Sequence, residues 1–184
     1  MKNQGSCASC WAFSAVAILE SFALSKNRPV LLSEQQLVDC SEDYGNSGCY
    51  GGFNYNALQY VLENGIVLER IYPYQGVTGL CVKDGGDFKI AKVHSVKGCS
   101  EIYSAVALRP LGVTVDATKW KTYASGVFSG CDKGINHDVQ LVGLSTSYYK
   151  IKNSWGTTWG EKGYIRLALG DTCGICMLQA PFVE

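Results

Sequence analysis

The chain has 184 residues, of which 47% are hydrophobic and 17% are charged, so it is long enough to bury a sizeable core as one domain. Sixteen basic and sixteen acidic side chains cancel, which leaves no basic stripe for nucleic acid. No apolar run approaches the ~20 residues that a membrane-spanning helix needs. We therefore expect neither nucleic acid nor a membrane as a partner.

The first half of the chain carries helical signals. A run that starts at Cys10 has recurring apolar residues and no proline or glycine before Pro29, which predicts one buried helix. A capping box that begins at Ser33 predicts a second, short helix, and a left-handed cap at Asn64-Gly65 is expected to end a third. These two helices are predicted over residues 33–39 and 54–63.

The second half changes to short runs rich in β-branched and aromatic residues, separated by turn residues. The predicted strands cover residues 90–93, 112–115, 140–144, 148–152 and 163–167, and a helix is predicted over 100–108. Strands at this spacing suggest a sheet curled into a barrel. The change near residue 95 therefore predicts an α+β chain with a mainly helical and a mainly β lobe.

Nine cysteines are many for a cytosolic protein and indicate an oxidising compartment. Eight of them can pair, and one must stay unpaired or react. No apolar signal segment follows Met1, so we expect a mature domain or a fragment cut from a precursor.

Four side chains have the chemistry of a cysteine nucleophile and its helpers. Cys10 opens the first predicted helix, and the positive end of the helix dipole favours thiolate over thiol. His137, one of only two histidines, can exchange the thiol proton. Asn153 can fix the imidazole without adding negative charge, and Gln4 can donate an amide N–H near the thiol.

Several motifs occur in the order found in one known family, and together they span nearly the whole chain. They are Gln4-Gly5-Ser6-Cys7-Ala8-Ser9-Cys10-Trp11, Leu32-Ser33-Glu34-Gln35-Gln36, Gly48-Cys49-Tyr50-Gly51-Gly52, Tyr72-Pro73-Tyr74, Asn136-His137-Asp138, Lys152-Asn153-Ser154-Trp155-Gly156 and Cys173-Gly174-Ile175. By these motifs the chain strongly resembles the papain-like cysteine peptidases of the cathepsin L type. Members carry a longer mature segment before the glutamine, so the resemblance implies an N-terminally truncated mature domain.

The resemblance implies a papain-like two-lobe fold over a single peptidase unit, residues 1–184. A mainly helical lobe would cover about residues 7–95 and a barrel-like β lobe about 96–179, with the substrate cleft between them. The C-terminal tail, residues 180–184, would return to the first lobe.

The resemblance also assigns roles. Cys10 would be the nucleophile, His137 the acid and base, Asn153 its orienting residue and Gln4 the oxyanion donor. Peptide binding is implied for Gly51, Gly52, Asn54, Thr114, Ile135, Asn136, Trp155 and Leu178. The resulting expectation is an endopeptidase that prefers an apolar residue before the P1 residue. Asp138 departs from the family, where a small residue usually follows the histidine; its carboxylate could raise the histidine pKa or point away.

By the same correspondence, disulfides are expected between Cys7 and Cys49, Cys40 and Cys81, and Cys131 and Cys173. Cys99 and Cys176 remain, and a fourth bridge between them would complete the pairing. The resemblance implies the chain's own propeptide and cystatin-type inhibitors as partners, a monomer, no metal or cofactor, and a lysosomal, vacuolar or extracellular location.

Two other hypotheses remain open. The pairs Cys7/Cys10 and Cys173/Cys176 both have the C-x-x-C spacing of redox and zinc sites. Alternatively, the chain is a catalytically impaired papain-fold protein used for binding.

Overall fold

Helices dominate the first half of the chain and strands the second, as the sequence patterns predict. The computed structural model describes residues 1–184. The helices are α1 (Cys10–Ser25), α2 (Glu34–Cys40), α3 (Asn54–Asn64) and α4 (Cys99–Val106). The strands are β1 (Val93–Lys97), β2 (Leu111–Val115), β3 (Val127–Phe128), β4 (His137–Leu144), β5 (Tyr148–Lys152), β6 (Tyr164–Ala168) and β7 (Gln179–Val183). None of the helices has the length and apolar character needed to cross a membrane.

The chain divides into two units, each with its own core and its own two disulfides. The helical unit comprises residues 4–94 and 183–184, and the sheet unit comprises residues 1–3 and 95–182. Bridges Cys7–Cys49 and Cys40–Cys81 lie in the helical unit. Bridges Cys99–Cys176 and Cys131–Cys173 lie in the sheet unit, so each unit is cross-linked independently.

The core of the helical unit is built around α1, which contacts both α2 and α3. Residues 11–19 are buried without interruption, because a helix that is apolar on every side has no face for water. Trp11 is fully buried, and the polar Ser14 within this run accepts a hydrogen bond from Asn54. The part of α1 that directly follows Cys10 is therefore enclosed on all sides, and only the end of the helix near Leu24 is exposed.

Only one half of the predicted capping box forms at α2. Ser33 Oγ accepts a hydrogen bond from Gln36 N at 3.0 Å. The Gln36 side chain instead donates to Tyr60 Oη and Gly85 O and accepts from Val67 N at 2.8 Å. A buried amide satisfies three distant polar groups in this way, so Gln36 links the core rather than capping the helix.

The sheet unit contains a five-stranded sheet in the order β2-β4-β5-β6-β3. Neighbouring strands are antiparallel except for the parallel β3–β6 pair. Alternate apolar residues such as Val113, Leu141, Ile151 and Ile165 are buried on one face and form the core. The α+β, papain-like fold class is confirmed. The outer edges of β2 and β3 pair with no further strand, so the sheet does not close into the predicted barrel.

One predicted strand begins later than expected, and two strands were not predicted. The strand expected over 90–93 begins only at Val93, because the N–H groups of Ala91 and Lys92 donate to Glu184 O. The structure adds β3, which has only two residues and so no detectable alternation. It also adds β7, which pairs with β1 and contains Pro181, a residue that weakens a strand pattern.

Candidate active site

The register of the sheet unit brings His137 and Asn153 together. His137 is the first residue of β4, and Asn153 directly follows β5. The two strands pair Gln140 with Lys152, so continuing the register places Asn153 opposite Val139, on the face that also carries His137. His137 Nε2 consequently lies 2.8 Å from Asn153 Oδ1.

A backbone donor decides which end of the Asn153 amide faces the ring. Ser154 N donates to Asn153 Oδ1 at 2.8 Å, so the atom in this position must be the acceptor oxygen. An oxygen acceptor next to His137 Nε2 requires that this nitrogen carries the proton. In the neutral ring, Nδ1 is therefore the basic nitrogen.

The imidazole lies in an aromatic, water-poor environment. His137 is 6% exposed, the Trp155 ring centroid lies 5.1 Å from its own, and the Trp120 ring meets it edge-on at 6.2 Å. Burial lowers the pKa of His137 to about 4, while the Asn153 hydrogen bond acts in the opposite direction. These surroundings favour a neutral ring, and an imidazolium would need an anion as a partner.

Asp138 points away from the ring. Successive strand residues face opposite sides, and Asp138 pairs across the sheet with Thr114. Thr114 Oγ1 donates to Asp138 Oδ1 at 2.6 Å. The sequence left open whether this carboxylate acts on the histidine or points away. In the structure it points away and binds Thr114 on the neighbouring strand.

In the helical unit, Cys10 is the first residue of α1 and the one cysteine outside the disulfides. Ala12 N and Phe13 N donate to Ser9 O and form the first turn behind it. The bridge from Cys7 to Cys49 lies three residues before the thiol. Cys10 is half-buried, at the end of the helix where the dipole favours an anion.

Gln4 is held in the same unit by two hydrogen bonds. Its Nε2 donates to Cys7 O at 2.9 Å, and Tyr74 Oη donates to its backbone O at 2.7 Å. Ser9 Oγ lies 2.7 Å from the same Tyr74 oxygen. Gln4 is only 7% exposed, so its side chain is anchored. Tyr74 belongs to a motif seen in the sequence, but the motif gave no sign of this supporting role.

The two adjacent glycines are required for different reasons. Gly51 has φ 132°, a conformation that L side chains rarely adopt, and the space around its missing Cβ is open. At Gly52 a Cβ would lie 2.8 Å from Trp11 and 2.5 Å from Asn46. The second glycine is therefore explained by packing within the unit.

Other predicted binding residues have bonds inside their own units. The buried Asn54 donates to Ser14 Oγ at 3.1 Å. Asn136 Oδ1 accepts from Ala117 N, and its Nδ2 donates to Thr118 Oγ1. Both amides thus stabilise local structure. Ile135 and Leu178, also predicted to bind peptide, are half-buried in the sheet unit.

The disulfides remove the basis for a zinc or redox site built from the two C-x-x-C pairs. Cys7, Cys173 and Cys176 are bonded to Cys49, Cys131 and Cys99, respectively. Only one thiol of the four is left, so neither pair can cycle as a dithiol and no four-thiolate cluster can form.

Comparisons with known proteins show the family of the chain. The profile of the papain family cysteine proteases matches residues 1–181. Cathepsin L 2 of Paramecium tetraurelia is 48% identical over 183 residues, which are 96% of this chain and 57% of that protein. The chain belongs to the papain family of cysteine proteases, and it spans little more than half the length of this relative.

Solved structures give the same result. The Carica candamarcensis cysteine protease CMS1MS2, in complex with E-64, superposes with a TM-score of 0.93 at 38% identity, covering 100% of this chain and 92% of that one. Procathepsin L 3 of Tenebrio molitor larval midgut superposes with a TM-score of 0.90 at 35% identity, covering 100% of this chain and 65% of that one.

The role of Asn153 can be tested by nitrogen-15 NMR of the His137 ring, in a Cys10→Ala background that removes the thiol. At pH 7 we expect the proton on Nε2 in this background, and a mixture of both tautomers after Asn153→Ala, because the orienting acceptor is gone. Asn153→Asp is the control, since it keeps an acceptor oxygen. An unchanged tautomer in Asn153→Ala would show that Asn153 does not orient the ring.

Proposed function

We propose that the chain is a cysteine endopeptidase that acts through a Cys10 thiolate and a His137 imidazolium. The proposal rests on the Ser154–Asn153–His137 arrangement, which leaves Nδ1 as the basic nitrogen of the ring. Cys10, the one cysteine outside the disulfides, lies at the start of a buried helix and supplies the nucleophile. Membership of the papain family supports the same pairing.

In the proposed reaction, His137 Nδ1 takes the proton of the Cys10 thiol and forms the ion pair. The thiolate attacks the peptide carbonyl carbon, and the imidazolium then protonates the leaving amine as the C–N bond breaks. This leaves a thioester acyl-enzyme. A water molecule, deprotonated by His137, attacks the thioester and releases the acid and the thiol.

The burial of His137 explains why its charged form, the imidazolium, needs an anion beside it. Burial opposes the imidazolium, and the amide of Asn153 is neutral, so nothing else described around the ring compensates the charge. A thiolate would provide that compensation. In turn the imidazolium and the α1 dipole would stabilise the thiolate.

Gln4 is proposed as the oxyanion donor, together with the backbone N–H of Cys10. One of the two amide N–H groups of Gln4 donates to Cys7 O, which fixes the orientation of the side chain. The second N–H is the one that would meet the developing negative oxygen. Such a donor contributes roughly 3 kcal/mol to transition-state stabilisation.

We propose an apolar preference at P2, the residue before the one that supplies the cleaved carbonyl. Among the proposed pocket residues, Thr114 has its hydroxyl bonded to Asp138 and Asn54 has its amide bonded to Ser14. Ile135 and Leu178 supply apolar groups. The remaining proposed peptide contacts are Gly51, Gly52, Asn136 and Trp155, with an extended substrate pairing along the glycines.

The endopeptidase assignment and the biological setting are also proposals. The segment after Gly52 enters α3 at once, without an insertion or a His-His pair that could block one end of a substrate site.

A neighbour in its pro-form supports a propeptide as a partner, and cystatin-type inhibition and a monomeric state follow from the family. Four disulfides fit a lysosomal, vacuolar or extracellular location.

Chemical labelling tests the nucleophile. We expect an epoxysuccinyl probe to modify Cys10 stoichiometrically, iodoacetamide to react with it already near pH 5, and peptide hydrolysis to stop in step with labelling. Peptide mapping by mass spectrometry identifies the site, and Cys10→Ser is the control that takes no label. Folded protein whose Cys10 resists both reagents would favour the inactive binding protein instead. A Cys10→Ser variant that still hydrolyses peptides would exclude Cys10 as the nucleophile.

The ion pair can be tested by titrating His137 by NMR. In Cys10→Ala we expect a pKa of about 4, because burial is not compensated. In the parent protein we expect a clearly higher pKa, because the thiolate favours the charged ring. Cys10→Ser should behave like Cys10→Ala, since a hydroxyl stays neutral. A parent His137 that is neutral at pH 6 would exclude the ion pair.

A panel of fluorogenic dipeptides that differ only at P2 tests the substrate preference. We expect kcat/KM for Leu, Val or Phe to exceed that for Arg by roughly tenfold or more, the size of effect that a hydrophobic pocket produces. Leu178→Glu should raise the relative value for Arg. Leu24→Glu, at a residue 62% exposed in the helical unit, is the matched control and should leave the ranking unchanged.

A further inference from the structure

The segment that leads into His137, residues 131–136, has no regular secondary structure and still has to place the first residue of β4. Its backbone is joined to the end of β2 through Asn136 N, which donates to Val115 O at 2.9 Å. The carboxylate of Asp116, the residue after β2, is the second point of attachment. Gly134 N donates to Asp116 Oδ2 at 3.0 Å.

The other carboxylate oxygen of Asp116 shapes the turn that directly follows β2. Its Oδ1 accepts from Thr118 N at 3.0 Å, which closes a turn directly after β2. Asn136 then meets this turn, because its side chain bonds Ala117 N and Thr118 Oγ1. One carboxylate therefore shapes the turn and, with its other oxygen, holds the segment that packs onto the turn.

The surroundings of Asp116 show that the carboxylate is built into the unit. Asp116 is 3% exposed, and its backbone N donates to Cys173 O at 2.8 Å, next to the Cys131–Cys173 bridge. Hydrogen bonds from Thr118 and Gly134 lower the pKa of the carboxyl group, so it is ionised. Lys119, whose charge also lowers the pKa of this carboxyl group, is exposed and pairs with Asp132 at 3.1 Å.

We propose that Asp116 is a positioning residue for His137: one carboxylate oxygen holds Gly134, the other shapes the turn that Asn136 bonds, and together they set where β4 begins and where the imidazole stands. The proposal rests on the proposed role of His137 in catalysis. In this proposal Asp116 acts through the segment that leads into β4 and not by touching the substrate.

The test compares three variants. Asp116→Ala removes both acceptors. Asp116→Asn keeps one acceptor oxygen but turns an NH2 group towards a backbone N–H that needs an acceptor. Asp132→Ala is the matched control, because it removes a carboxylate from the same segment. The Asp132 side chain is 78% exposed and, among the contacts described, is bound only to Lys119.

Two readouts separate positioning from general stability. The first is the NMR signal of His137 in the Cys10→Ala background, which reports ring placement without any activity. The second is the rate of Cys10 alkylation by iodoacetamide at pH 5 to 6, which depends on the imidazolium but not on a peptide-binding pocket. For Asp116→Ala we expect a shifted or broadened His137 signal and alkylation slower by roughly tenfold to hundredfold, the usual effect of misplacing a reacting group by about 1 Å.

Asp116→Asn should fall between the parent and Asp116→Ala, and Asp132→Ala should stay within about twofold of the parent, as expected for an exposed ion pair. If Asp116→Ala and Asp116→Asn fold and match Asp132→Ala in both readouts, the proposal is wrong. Failure of both to fold would assign the carboxylate to folding and would also overturn it. A parent protein whose Cys10 is inert would instead contradict the proposed function, while the His137 signal would still report on Asp116.

Discussion

The hydrogen bond from Ser154 N to Asn153 Oδ1 determines the chemistry that the rest of the site can support. It fixes the amide oxygen towards His137, and that oxygen fixes the ring proton on Nε2. With the amide reversed, its NH2 group would face Nε2, the proton would move to Nδ1, and the ring would have no basic nitrogen for the thiol. A neutral acceptor also avoids a second negative charge beside a ring whose proposed counter-ion is a thiolate.

The same bond depends on the register of β4 and β5. His137 and Asn153 are 16 residues apart in the chain and become neighbours only because Gln140 pairs with Lys152. The buried Ile151 holds this register, because a slip of β5 by one residue would move Ile151 to the face on which Lys150 is exposed. The irregularity in the ladder lies between Leu141 and Gly143, beyond this pair and away from His137. The pairing register of β4 and β5 therefore fixes both the packing of the core and the position of His137 next to Asn153.

The parts that could be predicted from the sequence are those with a local signal. The recurring apolar residues after Cys10 indicate α1. Asn64-Gly65 marks the end of α3, but Gly65 has φ 78° and ψ −179°, so the helix ends with a positive φ and not in the left-handed helical conformation expected. The motifs also indicate the polar residues of the candidate site. Three of the four bridges are the ones implied by the resemblance, and the fourth joins Cys99 and Cys176, the two cysteines that the resemblance leaves over.

What could not be predicted has no local pattern. The bonds from Asp116 to Gly134 and from Tyr74 to Gln4 join loops that are far apart in sequence. The open edges of the sheet likewise depend on which distant strands pair, and the short β3 offers too few residues to show alternation.

Irregular segments beside the candidate residues are held by cross-links, because they have few backbone hydrogen bonds of their own. Cys7–Cys49 joins the segments that carry Cys10 and Gly51, and Ala8 N adds a bond to Cys49 O at 3.1 Å. Cys131–Cys173 fixes the start of the segment that leads to His137. Each bridge closes a separation of 42 residues, which corresponds to about 4 kcal/mol of chain entropy in the loop-closure treatment. Covalent bridges limit how far these loops can move, and the hydrogen bonds of Tyr74 and Asp116 then define their conformation within that limit.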